Sequence, residues 1–472
     1  MRAHEAGALH ADLGSRGPAW LRAPADPNEL VPALWSRHVR RAPGGGLEVA
    51  GVPVGALARE HGTPAYVVDE DDFRARAREF RVAFDGAFAP HAGGDVYYAG
   101  KAFLCAATAR WIAEEGLSLD VCTGGELAVA LRAGFPAARI GMHGNNKSTA
   151  ELGRALDAGV GRVVLDAPGE VGRLAALAAD RGTRARVMVR VTVGVEAHTH
   201  EYIATAHEDQ KFGFSLAGGA AADAVRAVLA EPSLELVGLH SHIGSQIFDT
   251  AGFEVAARRV LGLHAEVAAE HGIVLPELGL GGGFGIAYTT QDDPLPAAEL
   301  AAGMAEIVGH ECSAYGVAVP RTSVEPGRAI AGPSTFTLYE VGTVKRVDLD
   351  AGAERLYVAV DGGMSDNIRT ALYDADYSCT LAGRSSSAPP VLARVVGKHC
   401  ESGDIVVKDE FLPADVAAGD LLAVPATGAY CRSMASTYNH VPRPPVVAVR
   451  DGRSRVLVRR ETEEDLLRLD VG

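Results

Sequence analysis

Eight short apolar runs, each followed by a longer stretch rich in Ala, Leu, Glu and Arg, repeat along the chain from about residue 95. The runs have the length of strands, and the longer stretches have helical character and close on Gly, as helices commonly do. Eight strand-then-helix units in succession predict an α/β fold built on a parallel (β/α)8 barrel of the TIM type. The predicted strands lie in residues 95–101, 117–126, 139–147, 161–167, 184–194, 235–245, 276–285 and 321–328.

The sequence pattern changes after Arg328, where short strand-like runs are divided by Gly, Asp and Pro. These runs predict a mostly β C-terminal domain over residues 331–472, after a barrel domain over residues 64–330. A strand, helix, strand pattern precedes the barrel, and we expect the N-terminal segment, residues 1–63, to join the β domain. Composition marks GRSSSAPP, residues 383–390, as the most flexible part of that domain.

The composition excludes several classes of partner. Of the 472 residues, 47% are hydrophobic and 22% are charged, which is typical of a globular protein. The 60 acidic residues outnumber the 45 Lys and Arg, and the net charge of −15 argues against nucleic-acid or anionic-membrane binding. We find no apolar run of membrane-spanning length and no secretory pattern, so we expect a cytoplasmic enzyme with a small-molecule substrate. The six scattered cysteines have no zinc spacing, and we predict reduced thiols and no metal.

The chemistry of a barrel enzyme lies at the carboxyl ends of its strands, where the loops that follow the strands converge. In this chain those ends carry an amine, imidazoles, carboxylates and a glycine cluster. The positions are Lys101, Asp120, His143, Asn145, His240, His242, Ser245, Gly281, Gly282, Gly283, Glu325, Gly327 and Arg328.

The glycine cluster and the lysine together predict a cofactor. Gly281 to Gly283 follow the seventh strand and let backbone N–H groups approach a phosphate, with Gly327 and Arg328 as further donors. A lysine opposite such an anion site can form a Schiff base with pyridoxal phosphate (PLP). Glu325 can then keep the pyridine nitrogen protonated, and His242 can stack on the ring.

Other interpretations remain open at this point. A lysine that ends a strand is usually a surface residue, a glycine cluster usually marks a turn, and Glu325 can simply pair with Arg328. The pairs His240/His242 and His198/His200 are also typical of metal ligands. A metal-dependent barrel hydrolase is therefore the alternative, although it leaves Lys101 and the triple glycine without a role.

The chain resembles the diaminopimelate decarboxylases, PLP enzymes of the alanine racemase and ornithine decarboxylase fold type. The resemblance spans nearly the whole chain and rests on long motifs in a fixed order. These are YYAGKA (97–102), HGNNKS (143–148), HTHEYIATAHEDQKFGFS (198–215), HSHIGSQI (240–247), GGGFGI (281–286), EPGR (325–328), DGGMSDNIRTALYDADY (361–377), CESGD (400–404) and GAYCRSMASTYN (428–439).

The resemblance implies a role for each motif. Lys101 would be the Schiff-base lysine, His242 would stack on the cofactor, Glu325 would contact the pyridine nitrogen and Cys400 would be the proton donor. The implied cofactor-binding residues are Lys101, Asp120, His242, Ser245, Gly282, Gly283, Glu325, Pro326, Gly327, Arg328 and Tyr430. The implied substrate-binding residues are Arg328, Arg369, Tyr373, Glu401 and Tyr430.

The sequence departs from the usual family pattern at three positions. Thr370 stands where proline commonly follows the arginine, Asp374 stands where glycine is usual, and Ala206 stands where glycine often occurs. None of the three removes a reactive group, so the departures concern loop conformation near Arg369.

The reaction implied by the resemblance is decarboxylation of meso-2,6-diaminopimelate at its D-centre, which gives L-lysine and CO2 as the last step of lysine biosynthesis. The resemblance also implies a homodimer with shared active sites. Arg369 suits a substrate with a second carboxylate, whereas a bare distal ammonium would need only acidic groups. The alternatives are another PLP-dependent basic amino-acid decarboxylase or racemase of the same fold, and a non-catalytic PLP-binding protein.

Overall fold

The computed structural model describes residues 17–194, 211–348 and 354–472. The described residues form two units, and each has its own core. The barrel unit consists of Arg74–Gly285 and Pro294–Ala329, and the β unit consists of Met1–Phe73, Ile286–Asp293 and Ile330–Gly472.

Twenty-one strands are numbered here in chain order within the described residues. They are β1 (Val39–Arg41), β2 (Leu47–Val49), β3 (Val52–Pro53), β4 (Ala65–Asp69), β5 (Gly94–Ala99), β6 (Ser118–Val121), β7 (Ile140–Met142), β8 (Arg162–Leu165), β9 (Ala185–Thr192), β10 (Phe214–Ser215), β11 (Leu234–His240), β12 (Glu277–Gly279), β13 (Arg321–Val324), β14 (Thr335–Asp348), β15 (Glu354–Val360), β16 (Thr380–Leu381), β17 (Pro390–Val396), β18 (Ile405–Pro413), β19 (Leu421–Val424), β20 (Val446–Arg450) and β21 (Arg453–Val458).

The α-helices of the described residues are numbered in the same way. They are α1 (Val54–His61), α2 (Glu70–Ala87), α3 (Ala106–Glu114), α4 (Gly124–Arg132), α5 (Thr149–Ala158), α6 (Pro168–Asp180), α7 (Ala220–Leu229), α8 (Ala251–His271), α9 (Ala297–Tyr315), α10 (Arg328–Ala331), α11 (Arg369–Tyr373) and α12 (Glu463–Leu467).

The barrel unit confirms the predicted parallel barrel. Strands β5, β6, β7, β8, β9, β11, β12 and β13 pair in sequence order, and β13 pairs with β5, so the sheet closes on itself. Every pairing is parallel, and each of the eight predicted runs overlaps one of these strands. The closure brings the carboxyl ends of all eight strands to one rim.

Local sequence signals define the helices around the barrel. Helix α5 is capped at its N-terminus by Ser148, whose hydroxyl accepts from the Glu151 N–H while the Glu151 carboxylate accepts from the Ser148 N–H. It ends at Gly159, which has the left-handed backbone that glycine adopts without steric cost. Helix α8 ends in the same way at Gly272. Glycine is therefore the C-cap of these two helices, whereas α3, α4 and α6 are capped by Glu115, Ala133 and Arg181, each one residue before the predicted glycine.

The β unit is built on a nine-stranded mixed sheet. Its order is β18-β17-β15-β14-β4-β20-β21, with β19 joining β14 to β16, and β1, β2 and β3 form a separate three-stranded sheet. The core of the unit includes Trp35, whose ring packs against that of Phe336 at a centroid distance of 6.0 Å. Residues from before and after the barrel sequence therefore share one hydrophobic core.

Two features of the β unit differ from the expectation. Strand β4 falls inside the range assigned to the barrel domain, but it pairs with β14 and β20 in the β sheet. All five of its residues are buried, and such a strand looks the same in sequence whether it lies in a barrel or in a mixed sheet. The fourteen-residue β14, which pairs with three other strands, was not among the predicted strands.

We expected residues 383–390 to be the most flexible part of this domain. In the structure this segment makes hydrogen bonds and an ion pair with residues distant in sequence. The Asn28 amide accepts from Ser386 N–H and donates to the Ser386 carbonyl, both at 2.8 Å. Arg384 pairs with Asp420 at 2.8 Å. Composition predicted mobility because it cannot show a partner 358 residues away.

A membrane span was not expected from the sequence. Within the part of the chain that the structure describes, no helix combines the length and the apolar character needed to cross a bilayer.

Candidate active site

A cavity of about 350 Å³ opens at the carboxyl ends of the barrel strands. Lys101, two residues beyond the end of β5, lines it and is exposed to it. The preceding Gly100 donates to the Asp120 carbonyl at 2.9 Å, and a Cβ at Gly100 would lie 2.8 Å from that oxygen. Glycine is therefore required before the lysine. The cavity is lined by Ala99, Gly100, Lys101, Asp120, Val121, Cys122, Thr123, Glu126, His143, Gly144, Asn145, Arg190, Lys211, Phe212, His240, His242 and Glu325.

The triple glycine allows neighbouring loops to pack backbone against backbone. A Cβ at Gly282 would lie 2.1 Å from the Glu325 carbonyl oxygen, and a Cβ at Gly283 would lie 2.4 Å from the Gly244 carbonyl oxygen. The Gly282 N–H donates to His242 Nδ1 at 3.2 Å, so a neutral His242 ring carries its proton on Nε2.

The loop after β13 is joined to the loop after β11. Arg328 is buried, and its Nη2 donates to Ser245 Oγ at 2.7 Å. The carbonyl of Pro326 accepts from the Ala99 N–H, and a Cβ at Gly327 would lie 2.9 Å from the Ala99 carbonyl oxygen. These contacts bring the predicted anion-binding residues into one connected set of loops.

Two histidines and two carboxylates form an array at the base of the cavity. His240 Nε2 lies 2.8 Å from Glu325 Oε1, and His143 Nε2 lies 3.5 Å from the same oxygen. His143 Nε2 also lies 3.2 Å from Asp120 Oδ1. Gly141 opposite Asp120 on β7 leaves room for this carboxylate, since a Cβ there would lie 2.6 Å from Oδ1.

The array divides its charge unequally. Burial raises the pKa of Glu325, but the neighbouring imidazoles of His240 and His143 outweigh burial and hold the pKa well below its usual range. Burial, together with the charge of Glu325, raises the pKa of Asp120 well above its usual range. Burial also lowers the pKa of His143 to about 4. Of the two carboxylates, Glu325 is therefore the one whose ionised form the array favours.

The array also meets the spacing of a metal site, which was the alternative raised by the sequence. Ligand atoms of His143, His240 and Glu325 lie within 4.8 Å of one another. His240, however, already donates to Glu325, and His242 accepts from a backbone N–H rather than joining the cluster. His198 and His200 lie outside the described residues.

Sequence reasoning missed two arginines of the barrel interior. Arg190 is buried near the end of β9, 3.6 Å from Asp166, with its guanidinium 4.5 Å from the Phe212 ring centroid. Arg162 is buried at the start of β8, with its guanidinium 3.8 Å from the Tyr97 ring centroid. An arginine within the apolar run VMVRVTV is a signal that could have found Arg190.

The remaining predicted site residues lie in the β unit. Arg369 is buried at the start of α11, donates to the Tyr377 hydroxyl at 2.8 Å, and has its guanidinium 4.6 Å from the Tyr288 ring centroid. Its Nε makes no hydrogen bond within the described residues. Tyr373, Cys400, Glu401 and Tyr430 are partly or fully exposed, and Tyr430 has a φ of +62°.

Two departures from the family pattern have a local explanation. Asp374 follows α11 with a φ of +52°, a left-handed conformation that explains the usual glycine and that Asp tolerates better than most residues. Its carboxylate pairs with Lys408 at 2.9 Å. The hydroxyl of Thr370 donates to the Val406 carbonyl at 3.1 Å, a bond that proline cannot make. Ala206 lies outside the described residues.

Comparisons with known proteins agree with this geometry. Residues 70–332 match the family described as pyridoxal-dependent decarboxylase, pyridoxal binding domain. The diaminopimelate decarboxylase of Mycobacterium tuberculosis is 59% identical over 446 residues, which cover 94% of this chain and 98% of the relative. That of Mycobacterium leprae is 56% identical over 477 residues, which cover 100% of both chains. The chain belongs to the diaminopimelate decarboxylase family.

Solved structures agree with the family assignment. The diaminopimelate decarboxylase from M. jannaschii, in co-complex with L-lysine, superposes with a TM-score of 0.85 at 29% identity and covers 93% of this chain and 99% of that chain. A lysine/ornithine decarboxylase from Vibrio vulnificus, complexed with putrescine, shares the fold at 22% identity and a TM-score of 0.69, covering 84% and 97%.

This member of the family is a PLP-dependent decarboxylase, and the barrel residues fit that cofactor. The cavity presents a primary amine at Lys101 and an ionised carboxylate at Glu325, which is the charge needed beside a protonated pyridine nitrogen. Both oxygens of the buried Asp120 carboxyl lack a hydrogen-bond partner within the described residues, so this end of the cavity can accept further polar contacts.

Proposed function

We propose that this enzyme decarboxylates meso-2,6-diaminopimelate at its D-configured centre, releasing L-lysine and CO2 as the last step of lysine biosynthesis in the cytoplasm. The observation that carries the proposal is the 59% identity to a diaminopimelate decarboxylase over 98% of that relative's length. A cavity that joins an exposed lysine to an ionised carboxylate supports the same chemistry.

The barrel residues would hold the cofactor from both ends. Lys101 would bind it covalently, and His242 would stack on its ring. Glu325, kept ionised by its hydrogen bond from His240, would contact the pyridine nitrogen. When bound, PLP supplies an electron sink for the carbanion left by loss of CO2. Its phosphate would contact Ser245, Gly282, Gly283, Pro326, Gly327 and Arg328.

The array below the cavity would keep the charge of Glu325 constant during turnover. Because the array raises the pKa of Asp120 and lowers that of Glu325, Glu325 is the carboxylate whose ionised form it favours. A charge buried among fixed partners stabilises a cationic ring without reorganising when the reaction begins. Asp120 would contribute to cofactor binding through this arrangement.

Residues of the β unit would recognise the substrate and return the proton. The buried Arg369, with one N–H unused among the described residues, suits the distal carboxylate, and Glu401 suits the distal ammonium. Tyr373 and Tyr430 would add contacts, Tyr430 also beside the cofactor, and Arg328 of the barrel unit would add another. Cys400, the exposed cysteine of the six, would donate a proton to the carbon that has lost its carboxylate.

We further propose a homodimer in which Cys400 of one subunit serves the barrel of the other. The thiol lies about 300 residues from Lys101 in sequence and in a separate unit. A two-fold dimer brings each β unit to its partner with the same geometry on both sides, so two equivalent composite sites result.

Release of CO2 tests the substrate assignment. Purified enzyme with PLP is given meso-diaminopimelate, ornithine, arginine or lysine, and CO2 and product amine are measured in each case. We expect release from meso-diaminopimelate with L-lysine as product. Release mainly from ornithine, arginine or lysine would assign another basic amino-acid decarboxylase, and no release from any substrate would favour the non-catalytic alternative.

A further inference from the structure

A polar network surrounds the residue proposed to donate the proton. It joins the DGGMSDN, HCESGD and GAYCRSMASTYN segments of the β unit, and the proposed reaction uses only a few of their side chains. The network begins at Asp404, whose carboxylate accepts from Met364 N–H at 2.6 Å and His399 N–H at 2.8 Å. The N–H of Asp404 donates to the Glu401 carbonyl at 3.1 Å. Asp404 therefore closes the turn that carries Cys400.

The turn is also held on its other side by an asparagine. Asn439 Oδ1 lies 3.3 Å from the Cys400 N–H, which donates to it, and 3.2 Å from His399 Nδ1. A backbone N–H can only donate, so this atom of the amide is its oxygen. His399 Nδ1 must then donate to the same oxygen, and in a neutral ring Nε2 accepts from the Ser365 hydroxyl at 2.8 Å.

The backbone conformation at Asn439 also favours asparagine over most other residues. Its φ of +51° and ψ of 25° are left-handed, inside the short turn Tyr438–His440. Asparagine and glycine adopt this conformation more readily than other residues, and asparagine alone of the two also supplies an acceptor. Both properties are used at this position.

We infer that Asn439 is a positioning residue for Cys400. Its amide oxygen fixes the backbone of Cys400 and the ring of the preceding His399, and so sets the direction from which the thiol meets the substrate carbon. The inference rests on the proposed role of Cys400 in the reaction. It also gives a role to the MASTYN motif, residues 434–439, none of which is among the proposed substrate-binding residues.

Three substitutions separate the two properties of Asn439. Asn439→Gly keeps the left-handed backbone and removes the acceptor, Asn439→Ala removes both, and Asn439→Asp keeps the acceptor and adds a negative charge. Asn28→Ala is the matched control, because the Asn28 amide also bonds a backbone N–H in the β unit, at 2.8 Å from Ser386.

The experiment uses the holoenzyme of each variant. The measurements are kcat and KM for meso-diaminopimelate, the melting temperature, and the rate of Cys400 alkylation by iodoacetamide against pH, mapped by peptide mass spectrometry. A structural defect alone would lower the melting temperature without a specific change at Cys400.

We expect Asn439→Gly and Asn439→Ala to lower kcat about 10- to 100-fold, with KM little changed, because the thiol is misplaced by a loosened turn. Alkylation of Cys400 should be faster in both. In Asn439→Asp the alkylation curve should shift to higher pH, since a nearby carboxylate disfavours a thiolate. Asn28→Ala should keep the wild-type kcat and Cys400 alkylation.

Wild-type kcat and alkylation in Asn439→Gly would overturn the inference, as would equal changes in Asn28→Ala. If Asn439→Ala does not fold, the Gly and Asp variants decide the outcome. Cys400→Ala separates this inference from the proposed function: wild-type turnover in that variant would remove Cys400 as proton donor, while the alkylation curves would still decide whether Asn439 positions it.

Discussion

The barrel unit and the β unit gather their functional side chains in different ways. In the barrel, Lys101, His242 and Glu325 come together because parallel strands end at one rim, so their position follows from topology. In the β unit, the turn that carries Cys400 follows β17 and is bonded to the loop after the adjacent strand β15, and Asn439, from a separate segment, accepts from the Cys400 N–H. The comparison teaches that the barrel cavity is fixed by backbone topology, whereas the surroundings of Cys400, the proposed proton donor, depend also on individual polar side chains.

The largest expected effect tests whether one active site combines Lys101 of one subunit with Cys400 of the other. Lys101→Ala and Cys400→Ala chains should each be nearly inactive alone. In a mixed dimer with shared sites, one site carries both defects and the other carries neither. Activity on mixing should therefore approach about a quarter of wild type, since half of randomly mixed dimers are hybrids with one intact site of two.

The control for this experiment is proof of subunit exchange, by native mass spectrometry of differently tagged chains. Confirmed hybrids without recovered decarboxylation would mean that each site is built within one chain. Cys400 would then have to reach its own barrel or have no role in the reaction.

The second expected effect concerns stability of the β unit. Burial raises the pKa of Asp366 to about 7 from an ordinary value of 3.8. The folded state therefore binds more protons between these values, and stability falls as pH rises from about 4 to 7, by up to roughly 4 kcal/mol. The free energy of unfolding, measured with urea at several pH values, should depend less on pH in Asp366→Asn than in the wild type. An unchanged pH dependence would contradict the raised pKa of Asp366.

In the barrel unit, His143 should contribute the opposite dependence. His143 has a pKa of about 4 against an ordinary 6.5, so the unfolded state binds more protons between these values. Stability should fall as pH drops from 6.5 to 4, by up to roughly 3 kcal/mol. His143→Asn should remove this loss. Hydrogen exchange followed by mass spectrometry assigns each effect to its unit, and a loss at low pH confined to the β unit would refute the assignment.

The smallest expected effect concerns substrate selection by the β unit. Arg369→Ala should lower kcat/KM for meso-diaminopimelate by about ten- to a hundredfold or more, or roughly 1.5–3 kcal/mol, because one charge-assisted contact is lost. Cofactor absorbance should not change, since the barrel is intact. Arg369→Lys is the control that keeps the charge without the planar fork. An unchanged kcat/KM in the Ala variant would remove Arg369 from substrate binding.

The same contrast explains what the sequence could predict. The barrel, its eight strands and the residues at their ends follow from periodicity, and the structure places Lys101 and Glu325 on one cavity as expected. Strand β14 was missed, although TFTLY alternates as a strand does, because the second half of the strand is mostly exposed and polar and forms no apolar run. The tether between Asn28 and Ser386 has no local signal, since the two residues are bonded only after folding.

The carboxylate array was predicted only in part. The strand-end positions of His143, His240 and Asp120 were identified, but their mutual distances depend on barrel register. Asp120 faces Gly141 on the next strand, and only that pairing shows why the carboxylate has room there. The division of charge between Asp120 and Glu325 is a property of burial and neighbours, which one sequence does not contain.

Borohydride trapping tests the central claim, that the barrel rim holds the cofactor through Lys101. Reduction of the holoenzyme followed by peptide mapping should place the pyridoxyl group on Lys101, and Lys101→Ala should lose the visible absorbance of the bound cofactor. Among the described residues, Lys211 also lines the cavity, and Lys147, buried against Glu170 at 2.8 Å, donates to the carbonyl of the lining residue Gly144. A pyridoxyl group on either of these instead of Lys101 would contradict the account.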